Sequence, residues 1–314
     1  MKIYIAGHRG MVGSAIWRHF ENGDEETKLI GRTSKELDLR NQAAVAEFIA
    51  AEKPDVIIDA AARVGGILAN NEYPYHFLME NMQIQNNLIS ASIANSIPKL
   101  VFLGSSCIYP KLAPQPLKEK HLLTGPLEPT NEWYAIAKIS GVKATESIRK
   151  QFGYDYVSLM PTNLYGPFDN FDLQTSHVLP AMIRKFHEAK ENDHAPVRLW
   201  GSGSPKREFL HVDDLAKAVG FAVRNRLKHN LYNVGSGSDL SIKELAKIIQ
   251  KVVGHQGEIN WDTSKPDGTP RKWMDSGLLR ALGWSPEIGL EEGIRDTYKW
   301  FQQNIKQIKE VKLS

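Results

Sequence analysis

Short apolar strand segments alternate with helical segments through residue 160, and this alternation restricts the chain to few folds. Strand segments lie at 3–6, 28–30, 55–59, 99–103 and 156–160. Helical segments lie at 11–20, 42–51, 81–95 and 133–151. Such alternation is typical of right-handed βαβ units and of a parallel sheet covered on both faces. The sequence therefore predicts an α/β fold with a doubly wound, Rossmann-type sheet.

The pattern changes after Gly166-Pro167, where elements become shorter and Pro, Gly and Trp more frequent. Helices are predicted at 178–188, 215–223, 242–252 and 290–301, and strands at 197–200 and 231–234. We expect a first domain over 1–166, to which 208–236 returns, and a smaller α/β lobe over 167–314. Ligands of such proteins bind where the second lobe covers the carboxyl ends of the strands.

Composition restricts the class of protein. The 314 residues are 42% hydrophobic and 24% charged, with a net charge of +3 that no basic block carries, so no nucleic-acid partner is expected. The single cysteine forms no intrachain disulfide and fits a reducing compartment. Met1-Lys2 leads directly into a strand, and no apolar run is long enough for a bilayer. We expect a cytoplasmic enzyme without a membrane partner or a metal.

A glycine motif, Gly7-x-x-Gly10-x-x-Gly13, lies between the first strand and the first helix. Glycines permit a tight turn and let backbone amides approach a pyrophosphate at a helix N-terminus. A glycine-rich turn without a ligand is the alternative, but the flanking βαβ pattern favours dinucleotide binding. The predicted cofactor contacts in this motif are Gly7, His8, Arg9, Gly10, Met11, Val12 and Gly13.

Arg32 lies where the dinucleotide fingerprint usually has an acidic residue that binds the adenosine ribose. An arginine there can pair with a 2′-phosphate, which favours NADP(H) over NAD(H). Arg9 could add a second positive charge, although Arg32 could also be an ordinary solvated side chain. Asp38 and Leu39 are candidate adenine contacts, or Asp38 caps the next helix.

Tyr134 and Lys138 are four residues apart on a predicted helix and so point from one face. A phenol serves as an acid-base catalyst at neutral pH when nearby positive charge lowers its pKa. With 10 tyrosines in the chain, one such pair is expected by chance. The position of the Tyr134–Lys138 pair makes it informative, because Ser105 and Cys107 follow the fourth strand and precede this helix in the chain.

These motifs together resemble the extended short-chain dehydrogenase/reductase superfamily, whose members act on nucleotide sugars. Further stretches narrow the resemblance to the NADPH-dependent epimerase-reductases of GDP-4-keto-6-deoxy-D-mannose. They are Gly7-His8-Arg9-Gly10-Met11-Val12-Gly13-Ser14-Ala15, Ala62-Arg63-Val64-Gly65-Gly66-Ile67, Ser105-Ser106-Cys107-Ile108-Tyr109-Pro110, Pro161-Thr162-Asn163-Leu164-Tyr165-Gly166-Pro167, Phe209-Leu210-His211-Val212-Asp213-Asp214 and Lys265-Pro266-Asp267-Gly268-Thr269-Pro270-Arg271-Lys272. The likeness spans nearly the whole chain, and Arg63 replaces an expected lysine.

The resemblance implies a division of the chemistry. A ketone at C4 acidifies the protons at C3 and C5, so inversion of both centres needs a base on one face of the sugar and an acid on the other. The resemblance assigns the base to Cys107 and the acid to His177. It makes Tyr134 the proton donor at O4, Lys138 its partner and a ligand of the nicotinamide ribose, and Ser105 a hydrogen-bond donor to O4. It adds as cofactor contacts Leu103, Gly104, Ser106, Lys138, Pro161, Thr162, Asn163, Leu164 and His177.

Ordinary structural roles compete with these assignments. Taken alone, Cys107 would be a small buried hydrophobic residue, His177 a helix cap or surface residue, and Ser105 a strand terminator. Ser106 competes with Ser105 for its role.

Substrate residues and partners also follow from the resemblance. A GDP-sugar needs cationic groups for its diphosphate, and the second half of the chain offers Lys185, Arg207, Arg271 and Lys272. The implied contacts are Lys185, Trp200, Arg207 and Asp267. Lys185 as a solvated side chain and Trp200 as plain core are the alternatives. A homodimer formed through the helices that contain Asn81 and Tyr134 is expected.

Three rival functions stay open on the sequence. A GDP-L-colitose synthase would use the same residues on a 3-deoxy sugar. A nucleotide-sugar 4-epimerase or 4,6-dehydratase would keep NAD bound, against which Arg32 and the Cys107–His177 pair argue. A catalytically silent dinucleotide sensor would not need Ser105 or Tyr134.

Overall fold

The computed structural model describes residues 1–23, 26–265 and 267–308. The strands are β1 (Lys2–Ala6), β2 (Lys28–Ile30), β3 (Val56–Asp59), β4 (Lys99–Leu103), β5 (Asp155–Pro161), β6 (Asn163–Tyr165), β7 (Val197–Trp200), β8 (Lys206–His211), β9 (Leu231–Val234), β10 (Asp239–Ser241), β11 (Ile259–Asp262) and β12 (Arg271–Lys272). The helices are α1 (Met11–Glu21), α2 (Gln42–Glu52), α3 (Ile67–Glu72), α4 (Pro74–Ala94), α5 (Glu132–Phe152), α6 (Val178–Glu191), α7 (Val212–Arg224), α8 (Ile242–Val253), α9 (Gly277–Arg280) and α10 (Leu290–Asn304).

The main sheet has six strands in the order β2-β1-β3-β4-β5-β9, and every neighbouring pair is parallel. Apolar side chains cover both faces, which explains the nearly uninterrupted apolar runs of the strands. Helices α1 and α7 cover one face, and α2, α4 and α5 cover the other. The doubly wound, Rossmann-type fold predicted from the sequence is confirmed, and its strand carboxyl ends form one edge.

Helix α4 differs from its prediction, because it begins at Pro74 rather than at residue 81. Proline occupies the first turn without loss, since its missing amide would have no intrahelical acceptor there. Asn81 is consequently buried in mid-helix, where its amide bonds the carbonyls of Arg63 and Phe77. The side chain of Asn81 therefore ties α4 to the segment that follows β3.

The second half of the chain forms a smaller lobe around β8. Strand β8 pairs in parallel with β6 and β12 and antiparallel with β10, while β7 and β11 form a separate parallel pair. Helices α6, α8 and α10 enclose the core of this lobe. By contrast, β9 is the sixth strand of the main sheet, and α7 packs beside α1.

No helix in the described part of the chain combines the length and the apolar character needed to cross a membrane.

Candidate active site

The glycine turn after β1 is built for close backbone approach. Gly7 adopts φ +78°, and a Cβ there would lie 2.7 Å from the carbonyl oxygen of Ala60. A Cβ on Gly13 would lie 2.1 Å from the Gly7 carbonyl oxygen. Gly10, the N-cap of α1, offers no side chain to its first turn, so backbone amides face outward. This bare helix N-terminus fits a dinucleotide diphosphate.

The other residues of the turn have distinct surroundings. His8 is half-buried, its Nδ1 has no hydrogen-bond partner within the described chain, and burial lowers its pKa first, with the charge of Arg9 second. Arg9 is exposed. Met11 and Val12 pack against the core beneath the sheet. The turn thus offers one exposed cation, Arg9, to a ligand, whereas the unpartnered Nδ1 of His8 is buried beside Gly31.

Arg32 follows β2 and already has a partner. Its guanidinium donates to Glu52 Oε1 at 2.9 Å and lies 5.2 Å from the ring centroid of Phe48. Glu52 also pairs with Lys2 at 3.0 Å, so it has a second cation. A 2′-phosphate could therefore recruit Arg32 without leaving Glu52 unpaired.

Asp38 and Leu39 lie on the next turn. The Asp38 carboxylate pairs with Arg40 at 2.9 Å, and this hydrogen-bonded ion pair lowers the pKa of Asp38. The Leu39 carbonyl accepts from Asn87 at 2.9 Å. The cap of α2 is Asn41, whose side chain accepts from the Ala44 amide, so Asp38 is not that cap.

Lys138 reaches the end of β4 from helix α5. Its ammonium donates to the Leu103 carbonyl at 2.9 Å and lies 5.9 Å from the Tyr134 ring centroid. Burial lowers the pKa of Lys138. Burial also raises the pKa of Tyr134, and the charges of Cys107 and Asp59 add to this effect. The pair predicted from sequence thus lies beside the strand end that carries Ser105.

Ser105 and Cys107 form the turn after β4. The Ser105 hydroxyl accepts from the Cys107 amide at 3.4 Å and so caps the 3-10 turn Ser106–Ile108. Cys107 and Ser106 are buried. Burial raises the pKa of the Cys107 thiol, whereas the charge of Lys272, the Ser105 hydrogen bond and the charge of Lys138 lower it. The positive charge expected near the thiol is present, but burial outweighs it.

His177 directly precedes α6 and is its N-cap residue. The loop before it is tied to the segment after β3, because the Gly66 amide donates to the Thr175 carbonyl at 3.1 Å. His177 is exposed, yet surrounding protein atoms lower the pKa of its imidazole by desolvation, and the charge of Lys272 lowers it further. The neutral imidazole is therefore favoured.

Lys272 is one of the cations that the sequence offers for a diphosphate, but the sequence predicts no role for it beside Cys107 and His177. Its charge acts on both Cys107 and His177, so the three groups lie near one another. The chain after it is clamped, because the Met274 amide donates to the buried carboxylate of Glu208 at 3.0 Å. Lys272 belongs to the smaller lobe through its pairing with β8, and its charge acts on the turn after β4.

Other predicted cofactor contacts line the same edge. The Gly104 amide donates to the Leu159 carbonyl at 3.0 Å. Thr162 Oγ1 and Asn163 Nδ2 both donate to the Glu208 carbonyl, at 3.3 and 2.8 Å. Pro161 ends β5, and Leu164 lies on β6. These contacts connect the edge of the main sheet with the smaller lobe.

Arg207 lies on β8, directly opposite Lys272 of β12 in the parallel register. Its guanidinium donates to the Lys206 carbonyl at 2.8 Å, and burial lowers its pKa. Within the described chain no carboxylate offsets this desolvation. A half-buried arginine without an acidic partner suits a phosphate ligand.

Lys185 and Trp200 flank an open groove of about 420 Å³ between α6 and β7. Trp200 is 64% exposed, and the Lys185 ammonium lies 5.9 Å from its ring centroid. An indole this exposed is not core, which removes one alternative raised from the sequence.

The Asp267 carboxylate accepts from Ser202 N at 2.6 Å and Ser202 Oγ at 2.8 Å, so it also orders the loop after β7.

A family model described as "NAD dependent epimerase/dehydratase family" matches residues 3–235. The chain is 56% identical over 305 residues to a probable GDP-L-fucose synthase 1 of Oryza sativa subsp. japonica, covering 97% of this chain and 93% of the relative. It is 54% identical to the GDP-L-fucose synthase of Escherichia coli, covering 96% and 97%. A GDP-L-colitose synthase of Yersinia pseudotuberculosis is more distant, at 43% identity with 96% and 98% covered.

A solved structure gives the same picture of the fold. The structure of a GDP-L-fucose synthetase from Naegleria fowleri bound to NADP superposes with a TM-score of 0.91 at 27% identity, covering 98% of this chain and 95% of that one.

Proposed function

The chain belongs to the NAD dependent epimerase/dehydratase family, and we propose that it converts GDP-4-keto-6-deoxy-D-mannose to GDP-L-fucose. The reaction inverts C3 and C5 of the sugar and reduces C4, so the enzyme is both an isomerase and an oxidoreductase. One observation carries the proposal beyond the relatives. A thiol and an imidazole share the charge of Lys272 beside a Tyr134–Lys138 pair.

Cys107 and His177 are the proton carriers of the epimerisation. The thiolate is the base that removes a proton next to the ketone, and the imidazolium form of His177 donates a proton to the opposite face and becomes a neutral imidazole. Lys272 helps the first role because its ammonium favours the thiolate. It also makes the imidazolium a stronger acid, since it lowers the pKa of His177.

Tyr134, Lys138 and Ser105 serve the reduction. Tyr134 donates its proton to the oxygen at C4, and Ser105 donates a hydrogen bond to the same oxygen. Lys138, held by the Leu103 carbonyl, stabilises the phenolate that remains.

NADPH, when bound, supplies the hydride for C4. The glycine turn around Gly7 and Gly13 would hold its diphosphate, and Arg32 with Arg9 its 2′-phosphate. Asp38 and Leu39 would contact the adenine. The side with the nicotinamide would contact Leu103, Gly104, Ser106, Lys138, Pro161, Thr162, Asn163, Leu164 and His177.

The GDP moiety is assigned to the smaller lobe. Arg207 binds the diphosphate, because its guanidinium has no acidic partner among the described residues. Lys185 and Trp200 line the groove for the nucleoside, where an exposed indole suits a planar base. Asp267 contributes through the loop that it orders.

The domain division of 1–166 with 208–236 and 167–314 belongs to the same proposal, supported by β9 in the main sheet. The formation of a homodimer and a cytoplasmic location are also parts of this proposal. Two apolar residues exposed on α5, Trp133 at 42% and Ile136 at 38%, support pairing through α4 and α5.

Incubation of pure protein with NADPH and GDP-4-keto-6-deoxy-mannose in D₂O tests the activity. We expect one NADPH oxidised per sugar, deuterium at C3 and C5, and the NMR spectrum of GDP-L-fucose. Faster turnover of the 3-deoxy ketone would point to the colitose precursor, which the lower identity of that relative does not favour. NADPH left unoxidised with both sugars would contradict the proposal.

A further inference from the structure

Asp59 is a buried carboxylate that none of the roles above uses. It is the last residue of β3, it is 1% exposed, and its Oδ1 accepts from the Ala61 amide at 3.3 Å. Its Oδ2 has no hydrogen-bond partner within the described chain. A buried carboxylate with a free oxygen is costly unless a compensating charge lies close by.

The register of the sheet shows that the Lys138 ammonium lies on the same face as the Asp59 carboxylate. Asp59 is opposite Phe102 in the parallel pairing of β3 and β4, so the two side chains project from the same face of the sheet. The Lys138 ammonium lies 4.8 Å from the Phe102 ring centroid, on this face. It also donates to the carbonyl of Leu103, the residue after Phe102. Asp59 and Lys138 therefore approach the same strand end from the sheet and from α5.

The electrostatics agree with this geometry. Burial raises the pKa of Asp59 to about 6, and the charge of Lys138 opposes the rise. Conversely, burial lowers the pKa of Lys138, and the charges of Asp59 and Cys107 oppose the fall. Asp59 also raises the pKa of two tyrosines that face it, Tyr4 from β1 and Tyr134 from α5. The Lys138 ammonium thus lies near three groups that can become anions, Asp59, Cys107 and Tyr134.

We propose that Asp59 is a positioning residue of the reducing half of the site, the counter-charge that keeps the buried Lys138 ammonium protonated. Asp59 acts through Lys138, which touches the coenzyme, and is not itself a catalytic residue. The inference rests on the proposed function for its account of Lys138 as a ligand of the nicotinamide ribose.

The experiment measures NADPH affinity as a function of pH, by coenzyme fluorescence and without sugar. In Asp59→Asn the alkaline pH at which affinity falls should move lower by about one unit, because Lys138 loses its counter-charge. Asp59→Glu keeps the charge and should keep the wild-type midpoint. Asp55→Asn makes the same chemical change at the other end of the strand, where the carboxylate accepts from the Lys2 amide, and should leave the midpoint in place.

An unmoved midpoint in Asp59→Asn, or an equal shift in Asp55→Asn, would overturn the assignment. If Asp59→Asn does not fold, NMR of the lysine side chains in the wild-type protein tests the inference instead. The Lys138 ammonium should stay protonated through pH 8, and deprotonation below that pH would contradict the inference. Failure to reduce the GDP-sugar together with a shifted NADPH midpoint would refute the proposed substrate and leave the role of Asp59 intact.

Discussion

Lys272 stands opposite Arg207 in the parallel register of β12 and β8, so two cations project from one face of the smaller sheet. Arg207 has no carboxylate partner within the described chain, and the Lys272 charge acts on Cys107 and His177. A doubly anionic ligand on this face would neutralise two like charges. If Arg207 binds the diphosphate and Cys107 and His177 transfer protons, as proposed, Lys272 couples the two events electrostatically.

Lys272→Met should raise the pKa of the Cys107 thiol by about one unit, because the opposing positive charge is removed. The rate of iodoacetamide alkylation against pH measures this shift. Lys247→Met, on the exposed face of α8, is the matched control and should leave the alkylation profile unchanged. An alkylation profile that is the same in Lys272→Met as in the wild-type protein would show that the ammonium does not activate Cys107.

Cys107→Ser and His177→Gln should each slow deuterium exchange at C3 and C5 about 10²- to 10⁴-fold, the usual contribution of a positioned acid or base. NADPH affinity should change little in Cys107→Ser, since the proposed mechanism places the thiol beside the sugar and not beside the coenzyme. NMR in D₂O and coenzyme fluorescence give the two readings. Normal exchange in Cys107→Ser would remove the thiol as the base.

Arg32→Ala should weaken NADPH binding about 10- to 100-fold while NADH binding changes little, because only NADPH carries the 2′-phosphate. The fold survives, since Glu52 keeps its ion pair with Lys2. Arg295→Ala, which removes the same charge from the exposed face of α10, should leave the NADPH-to-NADH ratio as it is. Equal losses for both coenzymes would contradict a phosphate contact at Arg32.

Asp169→Asn should stabilise the folded protein increasingly as the pH rises from 4 to 7. The Asp169 carboxyl has a buried Oδ2 without a partner in the described chain, and burial raises its pKa from 3.8 to about 7. Because the folded pKa is the higher one, wild-type stability falls between these two pH values as the unfolded chain releases its proton. The gain reaches at most about 4 kcal/mol at neutral pH.

Urea unfolding of both proteins at pH 4.5 and pH 7.5 measures this difference. A gain that is equal at the two pH values would show that the carboxylate charge is not its source.

Helices and strands with strong local patterns were predictable. The apolar runs of β1, β3, β4 and β5 lie in a sheet covered on both faces. Because helices alternate with these strands, the sequence predicts a parallel sheet with right-handed crossovers. The predicted start of α4 is wrong: the helix begins at Pro74, and its N-cap residue Tyr73 makes no side-chain capping hydrogen bond, so the sequence carries no capping signal there. In the smaller lobe, β12 is only Arg271–Lys272, too short for any periodicity.

The sequence by itself determined the parallel sheet, the glycine turn and the pairing of Tyr134 with Lys138, because each depends on residues close together in the chain. Only the tertiary structure decided that the Lys272 charge acts on Cys107 and that Asp59 shares a buried face with Lys138. Both relationships join segments far apart in sequence, and strand register together with desolvation creates them. Local patterns carry neither kind of information.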